Sequence, residues 1–535
     1  MADWTRRRLL GASASLLAGA ALPNALRAEP DTDNAAPDAA SAPLTVAIVP
    51  EQPPEAPDPF VALDALGQAA LIASGEASPE ELVEAAIARV ARLDPELQSI
   101  VTPMFEQARA RLVQGLASGP FTGVPTLVKD LTPISGVPHY NGSRLFLDQI
   151  ATETHVLVKH MEAAGMVVIG KTATPEFGLL PSTSPRAFPP TRNPWDTERD
   201  PGGSSGGAGA AVAAGIVPIA QGSDGGGSIR IPSAACGLFG MKPSRGRLPS
   251  PPDPRPVELA VRGFLTRTVR DSQAALAAFQ VTDFAFPSVT DETLAARGRL
   301  RIAFTTETPD GAALHPDCVK AVERTARLCR SLGHAVEEVT PEFHSLETRE
   351  AMMTLWASGP HALVAEIEAR TGAPPPRPLL EPWTWGLAEM FRSRPDPDAA
   401  LASAVEQALR ATEQAAAFHD TYDVLLTSTL GAPPLPSGQP DQSQPFAALL
   451  EQVFAFVPYT YVANMTGRPA MSMPLYQTKD GLPLGSHFVG RFGEEALLFK
   501  LARQLEEARP WHDRWPPHSA HGFAVAHVAE APPSD

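Results

Sequence analysis

Cysteine is scarce in this chain. Three cysteines in 535 residues, Cys236, Cys318 and Cys329, cannot make a disulfide framework. Cys318 and Cys329 fall in one helical pattern, which sets them roughly 16 Å apart, too far for a bridge. No C-x-x-C pair is present, so the spacing of a structural zinc site is missing and no metal is implied. Positive charge is also short. Against 60 Asp+Glu stand 43 Lys+Arg, a net −17, which argues against nucleic acid or an anionic membrane surface as partner. Lysine is the scarcest basic residue. It occurs only at 129, 159, 171, 242, 320, 479 and 500, so arginine fills most positions where exposed positive charge is all that is needed. Each lysine is therefore a candidate for a more specific task.

What the chain does have is ordinary for a globular protein: 44% hydrophobic residues and a mean hydropathy of −0.08. Its 57 prolines suggest many irregular connections. The length suits several domains or one large core. Residues 1–28 read as an export signal of the twin-arginine type. Arg6-Arg7 precedes an apolar stretch from Leu9 to about Leu26, too short and weak to span a bilayer comfortably. Such a signal carries folded proteins, so a periplasmic or secreted location is expected, with no stable membrane anchor after cleavage near Ala28. Residues 29–58, rich in Pro, Ala, Asp and Glu, read as a linker.

The body alternates helix and strand. Ser78-Pro79-Glu80-Glu81 is a capping box with proline at the first helical position, followed by Leu82, Ala85, Ala86, Val90 and Leu93 at helical spacing. Short apolar runs at Thr126–Val128, Met166–Ile169 and Asp423–Leu426 predict buried strands. Arg299–Thr305, the helical pattern from Pro316 to Leu332 and Ala335–Val339 predict a β-α-β unit with Gly333 past the helix end. Pro469–Leu475 and Gly485–Gly490 predict neighbouring strands, and Glu494–Arg509 an amphipathic helix. The fold class is α/β with a mixed sheet. The histidines at 512, 518, 521 and 527 sit in a tail, from 516 to 535, that reads as disordered rather than metal-binding.

Residues 123–232 hold three pieces of chemistry. In the first, Lys129 ends an apolar strand. Buried there, its ammonium would be desolvated and a neutral amine base would become available near pH 7; a lysine paired with Asp130 is the plainer reading. The second is Gly202-Gly203-Ser204-Ser205-Gly206-Gly207, followed by a run of small residues fit for a tightly packed helix. It reads equally as a flexible turn or an anion nest. The third is Gly222-Ser223-Asp224-Gly225-Gly226-Gly227-Ser228-Ile229-Arg230, where three glycines expose successive N–H groups beside a hydroxyl, as an oxyanion hole requires. Asp224 and Arg230 flank that turn and are placed to pair. A phosphate loop is disfavoured, since the G-K-[ST] ending is absent.

Together these pieces resemble the amidase signature family. Gly170–Gly178, Thr191–Asp196, Asn464–Pro474 and Asp480–Gly485 agree with it, and the resemblance covers roughly residues 60 to 515. It implies a single large domain over 59–515, with a mixed, mostly parallel twisted sheet of about eleven strands covered by helices on both faces. It implies an amidase acting through a Ser-cisSer-Lys triad. Ser228 would be the nucleophile, Ser204 and Lys129 the proton relay, and Gly225, Gly226 and Gly227 the oxyanion hole with the Ser228 N–H. Ser205, Asp224 and Arg230 would support them. The resemblance implies no cofactor, a small-molecule amide as substrate, and a homodimer as one expected assembly, though no residue pattern marks an interface.

The segment from about 340 to 400 would line the acyl pocket. There Met352, Met353, Trp356, Trp383, Trp385 and Phe391 read as pocket wall or as core. The ending, with Phe488–Ala496 and Gln504–Trp511, looks most like the branch containing 6-aminohexanoate cyclic-dimer hydrolases, which points to a small linear or cyclic amide. Other readings compete. Gly202-Gly203-Ser204-Ser205-Gly206 is literally a G-x-S-x-G elbow, but Asn, Pro, Asp, Arg and Gly before it make no strand. A glutaminase-type amidotransferase subunit shares the signature but needs a cytoplasmic home. Esterase or aryl-acylamidase turnover on the same machinery is an expected side activity, and a binding protein without turnover is disfavoured by the complete triad.

Overall fold

Alternation along the strands builds the sheet. Leu127, Val167, Ile169, Ala220 and Leu265 point into one apolar layer, whereas Val128, Val168, Ile219 and Phe264 point into another. Side chains on a strand leave by opposite faces in turn, so these strands are sealed on both sides. The computed structural model describes residues 26, 43–44, 58–251, 257–281, 286–290 and 298–521. The expected export signal and linker lie outside these residues except at 26, 43, 44 and 58, and His527 lies outside them too.

The strands are β1 (Ile100–Pro103), β2 (Pro125–Lys129), β3 (Val167–Thr172), β4 (Ile219–Asp224), β5 (Phe239–Lys242) and β6 (Val261–Thr266). They continue with β7 (Arg301–Phe304), β8 (Ala335–Glu338), β9 (Val424–Ser428), β10 (Ala470–Gln477) and β11 (Pro483–Gly490). They form one 11-stranded sheet in the order β1-β3-β2-β4-β6-β5-β10-β11-β9-β7-β8. The parallel pairings lie in the two flanks, β3-β2-β4 and β9-β7-β8. The centre and the β1 edge are antiparallel, so the expected parallel character belongs to the flanks alone. The helices that position the site are α1 (Pro79–Leu97), α2 (Gly206–Ala213), α3 (Arg230–Cys236), α4 (Leu346–Thr371), α5 (Pro382–Arg392), α6 (Pro397–Thr421), α7 (Phe446–Phe456) and α8 (Thr460–Met465). Helix α1 starts at the expected capping box, with Ser78 Oγ accepting from Glu81 N–H and Glu81 accepting in return from Ser78 N–H at 2.7 Å. Helices α1 and α2 cover one sheet face, and Val269–Phe279, Pro316–Ser331 and Glu495–Ala508 the other.

Two expectations change. Strands β1, β4, β5 and β6 carry no clear apolar run, and β4 ends in the glycine-rich stretch that reads as loop. Position overrides composition here, because β4 lies between β2 and β6 and exchanges ladder bonds with both. The tail is ordered past its expected start at 516. Ala520 N–H donates to Ala214 O at 2.9 Å, and His521 stacks on Trp515 at 4.9 Å between centroids.

Candidate active site

Strand β2, held between β3 and β4, ends at Lys129, and the side chain there has no exposed surface. Its Nζ meets three hydroxyls, Ser204 at 2.7 Å, Ser205 at 2.9 Å and Ser223 at 3.1 Å. Among the described residues no carboxylate pairs with it, and Asp130 turns away to Lys171 at 2.6 Å. Burial, and next the positive charge of Arg262, push the Lys129 amine well below its usual range, against a smaller pull from Asp224. Of the seven lysines, Lys129, Lys171 and Lys242 are fully buried.

Ser204 and Ser205 arrive on a loop held by Asp200, whose carboxylate accepts from Gly202 N–H at 2.8 Å and Thr183 N–H at 3.0 Å. The Gly203–Ser204 peptide is cis. Ser205 is saturated. Its Oγ donates to Ser223 O at 3.2 Å and accepts from Lys129 Nζ and from Ser223 N–H at 3.3 Å. Helix α2 begins immediately after and is buried along its whole length. Only a glycine fits at 207, where a Cβ would meet Ala173 N and Ser99 O at 2.5 Å. No strand precedes Ser204: among residues 192–203 only the isolated bridges at Asn193 and Arg199 occur, which removes the support an elbow needs.

Asp224, the last residue of β4, organises the turn that carries Ser228. Its carboxylate accepts from Gly227 N–H at 2.8 Å, from Ile229 N–H at 3.1 Å, and from Arg230 Nη2 and Nε at 2.8 and 3.0 Å. Burial opposes ionisation, yet Arg230 and the hydrogen bonds hold this carboxyl below the usual carboxylate range. Arg230 in turn donates to Thr460 O at 2.8 Å and Asn464 Oδ1 at 2.7 Å, and lies 2.8 Å from His487 Nε2. The pairing foreseen for Asp224 and Arg230 is thus fully buried. The oxyanion assignment needs one correction. The Gly227 N–H is committed to Asp224, so it is not free to face a substrate oxygen. Among the described residues, the N–H groups of Gly225, Gly226 and Ser228 have no acceptor. Gly227 serves the turn differently, through a φ of +133° that side-chain-bearing residues rarely adopt.

Ser228 is 5% exposed and is tied to the serine loop by Ser205 N–H donating to its carbonyl at 3.3 Å. Two chambers meet at it. The smaller, about 60 Å³, is walled by Met352, Met353, Trp356, Trp383, Val453 and Tyr461. The larger, about 200 Å³, is bordered by Ser204, Ser223, Arg262, Leu355, Pro360 and Leu363. The open choice for the 340–400 segment therefore divides by residue. Met352, Met353, Trp356 and Trp383 pack in or against a core cluster and also line the chambers, whereas Trp385 and Phe391 pack into core clusters without lining them. Ser223, Arg262, Thr460, Asn464 and His487 were not singled out from sequence. Ser223 stood inside the glycine-rich motif, and Thr460, Asn464 and His487 lie more than 200 residues beyond Arg230 in sequence.

The profile of the Amidase family matches residues 81–499. The 6-aminohexanoate-cyclic-dimer hydrolase of Paenarthrobacter ureafaciens is 36% identical over 481 residues, covering 85% of this chain and 96% of that protein. A solved structure of 6-aminohexanoate cyclic dimer hydrolase with substrate superposes with a TM-score of 0.77 at 32% identity, over 86% of this chain and 99% of the other. A bacterial aryl acylamidase gives a TM-score of 0.76 at 25% identity, covering 89% of this chain and 100% of that one.

Proposed function

This chain belongs to the amidase signature family, and we propose that it opens a small linear or cyclic amide through an acyl-enzyme on Ser228. It is a hydrolase of amide carbon–nitrogen bonds. The observation that carries the reading is the Lys129 amine, buried among three hydroxyls and without a carboxylate partner, beside the chamber that Ser204 and Ser228 share.

The hydrogen bonds favour a direction for the protons. Ser205 already gives its proton to Ser223 O, so it accepts an N–H from Lys129. A neutral amine can meet that demand and still offer its lone pair to the Ser204 hydroxyl. Lys129 then takes the Ser204 proton as Ser204 takes that of Ser228, and Ser228 Oγ attacks the amide carbon. The oxyanion is received by the N–H groups of Gly225, Gly226 and Ser228. As the C–N bond breaks, the proton returns through Ser204 to the leaving nitrogen. Water enters by the same relay and releases the acid. Proton transfer of this kind contributes about 10²- to 10⁴-fold, and each oxyanion donor about 10²- to 10³-fold. The apolar chamber supports an apolar acyl group as its occupant.

The test is labelling of the protein from residue 29 onward with a fluorophosphonate, followed by peptide mapping. A single adduct on Ser228, lost in Ser228→Ala, is expected; an adduct on Ser204 would sink the assignment. We also propose that residues 1–28 direct export, on the strength of Arg6-Arg7 and the apolar stretch after them. Replacing both arginines by lysine should then leave the protein inside the producing cell, as fractionation would read.

A further inference from the structure

We propose that the larger chamber is the leaving-group subsite and that Arg262 anchors a carboxylate there, making N-acylated amino acids with an apolar acyl chain the substrate class. This rests on the assignment of Ser228 and Ser204 given above. Strands β4 and β6 are antiparallel, with Arg262 directly opposite Ser223. Directly opposed residues send their side chains to the same face. Ser223 points its hydroxyl at Lys129 Nζ, so Arg262 rises beside the catalytic amine. The field of its guanidinium is also the second cause of the lowered proton affinity of Lys129.

Arg262 is the sole charged residue among the described residues that line this chamber. Its Nε is buried and, among the described residues, makes no hydrogen bond. Glu258 is the acidic group whose charge it feels, and Glu258 does not line the chamber. A guanidinium at the wall of this chamber, beside the hydroxyls of Ser204, Ser223 and Ser228, suits a planar carboxylate that can take two N–H groups at once. The chemistry of the two chambers sets the polarity of the substrate. Ser204, which returns the proton to the departing nitrogen, borders the chamber of Arg262 and not the smaller one. The amine part of the amide therefore lies on the Arg262 side, and the acyl part lies among Met352, Met353, Trp383 and Tyr461. The C–N bond cleaves with water. The free carboxylic acid leaves one chamber, and an amino acid, its nitrogen carrying the proton from Ser204, leaves the other.

The experiment compares kcat/KM for N-octanoyl-β-alanine and for its neutral counterpart N-propyloctanamide, which differ at the carboxylate. A charge-assisted pair predicts about 10- to 100-fold preference for the acid in the wild type. Arg262→Leu should bring that ratio to within about threefold of unity, and Arg262→Lys should keep part of it. Removing the Arg262 charge also changes the base strength of Lys129, which acts on both substrates alike and cancels in the ratio. A wild-type ratio near one, no turnover of the acid, or a ratio unchanged in Arg262→Leu would each overturn the subsite. Ser228→Ala separates the two levels. If it still hydrolyses these amides, the active-site assignment fails; if it is inert while the wild-type ratio is near one, the subsite alone fails. Should Arg262→Leu fold poorly, the wild-type ratio and Arg262→Lys still decide.

Discussion

Gly227→Ala is a sharp test of the turn that carries Ser228, the proposed nucleophile. A Cβ at 227 would stand 2.4 Å from Thr460 Oγ1 and 2.7 Å from Ile231 Cδ1. Neither neighbour yields cheaply. Thr460 is fully buried and Ile231 is 2% exposed, and Thr460 Oγ1 donates to Gly226 O at 2.6 Å. The φ of +133° adds strain of about 1–3 kcal/mol for a residue with a side chain. Overpacking adds a further ~1–3 kcal/mol if the surroundings hold still. The less costly response is for the turn to move, carrying Gly226 and Ser228 N–H with it. A shift on the order of 1 Å at such donors costs about 100-fold in rate. We therefore expect the rate of phosphonylation of Ser228 to fall about 10²- to 10³-fold, and unfolding stability in urea to fall by roughly 2–4 kcal/mol. Adding Thr460→Ala removes the Oγ1 contact but leaves the Thr460 Cβ at 2.8 Å, Ile231 Cδ1 at 2.7 Å and the dihedral, so only a small part of the stability should return while the rate stays low. Gly227→Ala within fivefold of wild type in labelling rate would refute the argument.

Asp224→Asn strands Arg230 as a buried charge and should cost about 3–5 kcal/mol in urea unfolding. Burial holds the Lys129 amine well below the usual lysine range, so its neutral form persists to lower pH than in an ordinary lysine and is lost as pH falls through the folded value. Labelling of Ser228 should thus show an acid limb, and Arg262→Leu should move that limb to higher pH by removing a repelling charge. Stability has the matching sign, rising with pH between the folded and unfolded values of Lys129, and Lys129→Met should remove that rise. Glu176 behaves oppositely. Burial, and then the neighbouring Glu381, raise it to about 8 from 4.5, so between those values the native state keeps a proton that the unfolded chain releases. The melting temperature should fall as pH rises through that window, and fall less in Glu176→Gln. Asp200, also raised to about 8, keeps part of the slope in either protein.

The scarcity of lysine pointed to Lys129 because a side chain that solvent does not need must be held by something else. The serine and glycine motifs were legible for the same reason, being local sequences whose chemistry does not depend on a distant partner. What stayed hidden is what the sheet brings together. Arg262 is an unremarked arginine in sequence and becomes a neighbour of Lys129 only through the β4–β6 register. Asn464, Thr460 and His487 receive Arg230 from helix α8 and strand β11, contacts across more than 200 residues. The capture of the Gly227 N–H by Asp224 was illegible because a run of three glycines does not say which way each amide turns. Strands β2, β3 and β9 and the pair of β10 and β11 carried apolar runs that could be read, whereas the glycine-rich β4 is held as a strand by its two neighbours.

The contacts of Arg230 also constrain the timing of assembly. A nascent chain leaves the ribosome from its N-terminus, so the turn with Ser228 is complete long before Thr460, Asn464 and His487 exist to receive the guanidinium. The helix that follows Ser205 waits still longer, until Ala520 closes on Ala214. Stalled chains ending anywhere between about residues 240 and 460 therefore hold Lys129, Ser204 and Ser228, the three side chains of the proposed relay, and should be inert toward a fluorophosphonate. Reactivity should switch on late in synthesis.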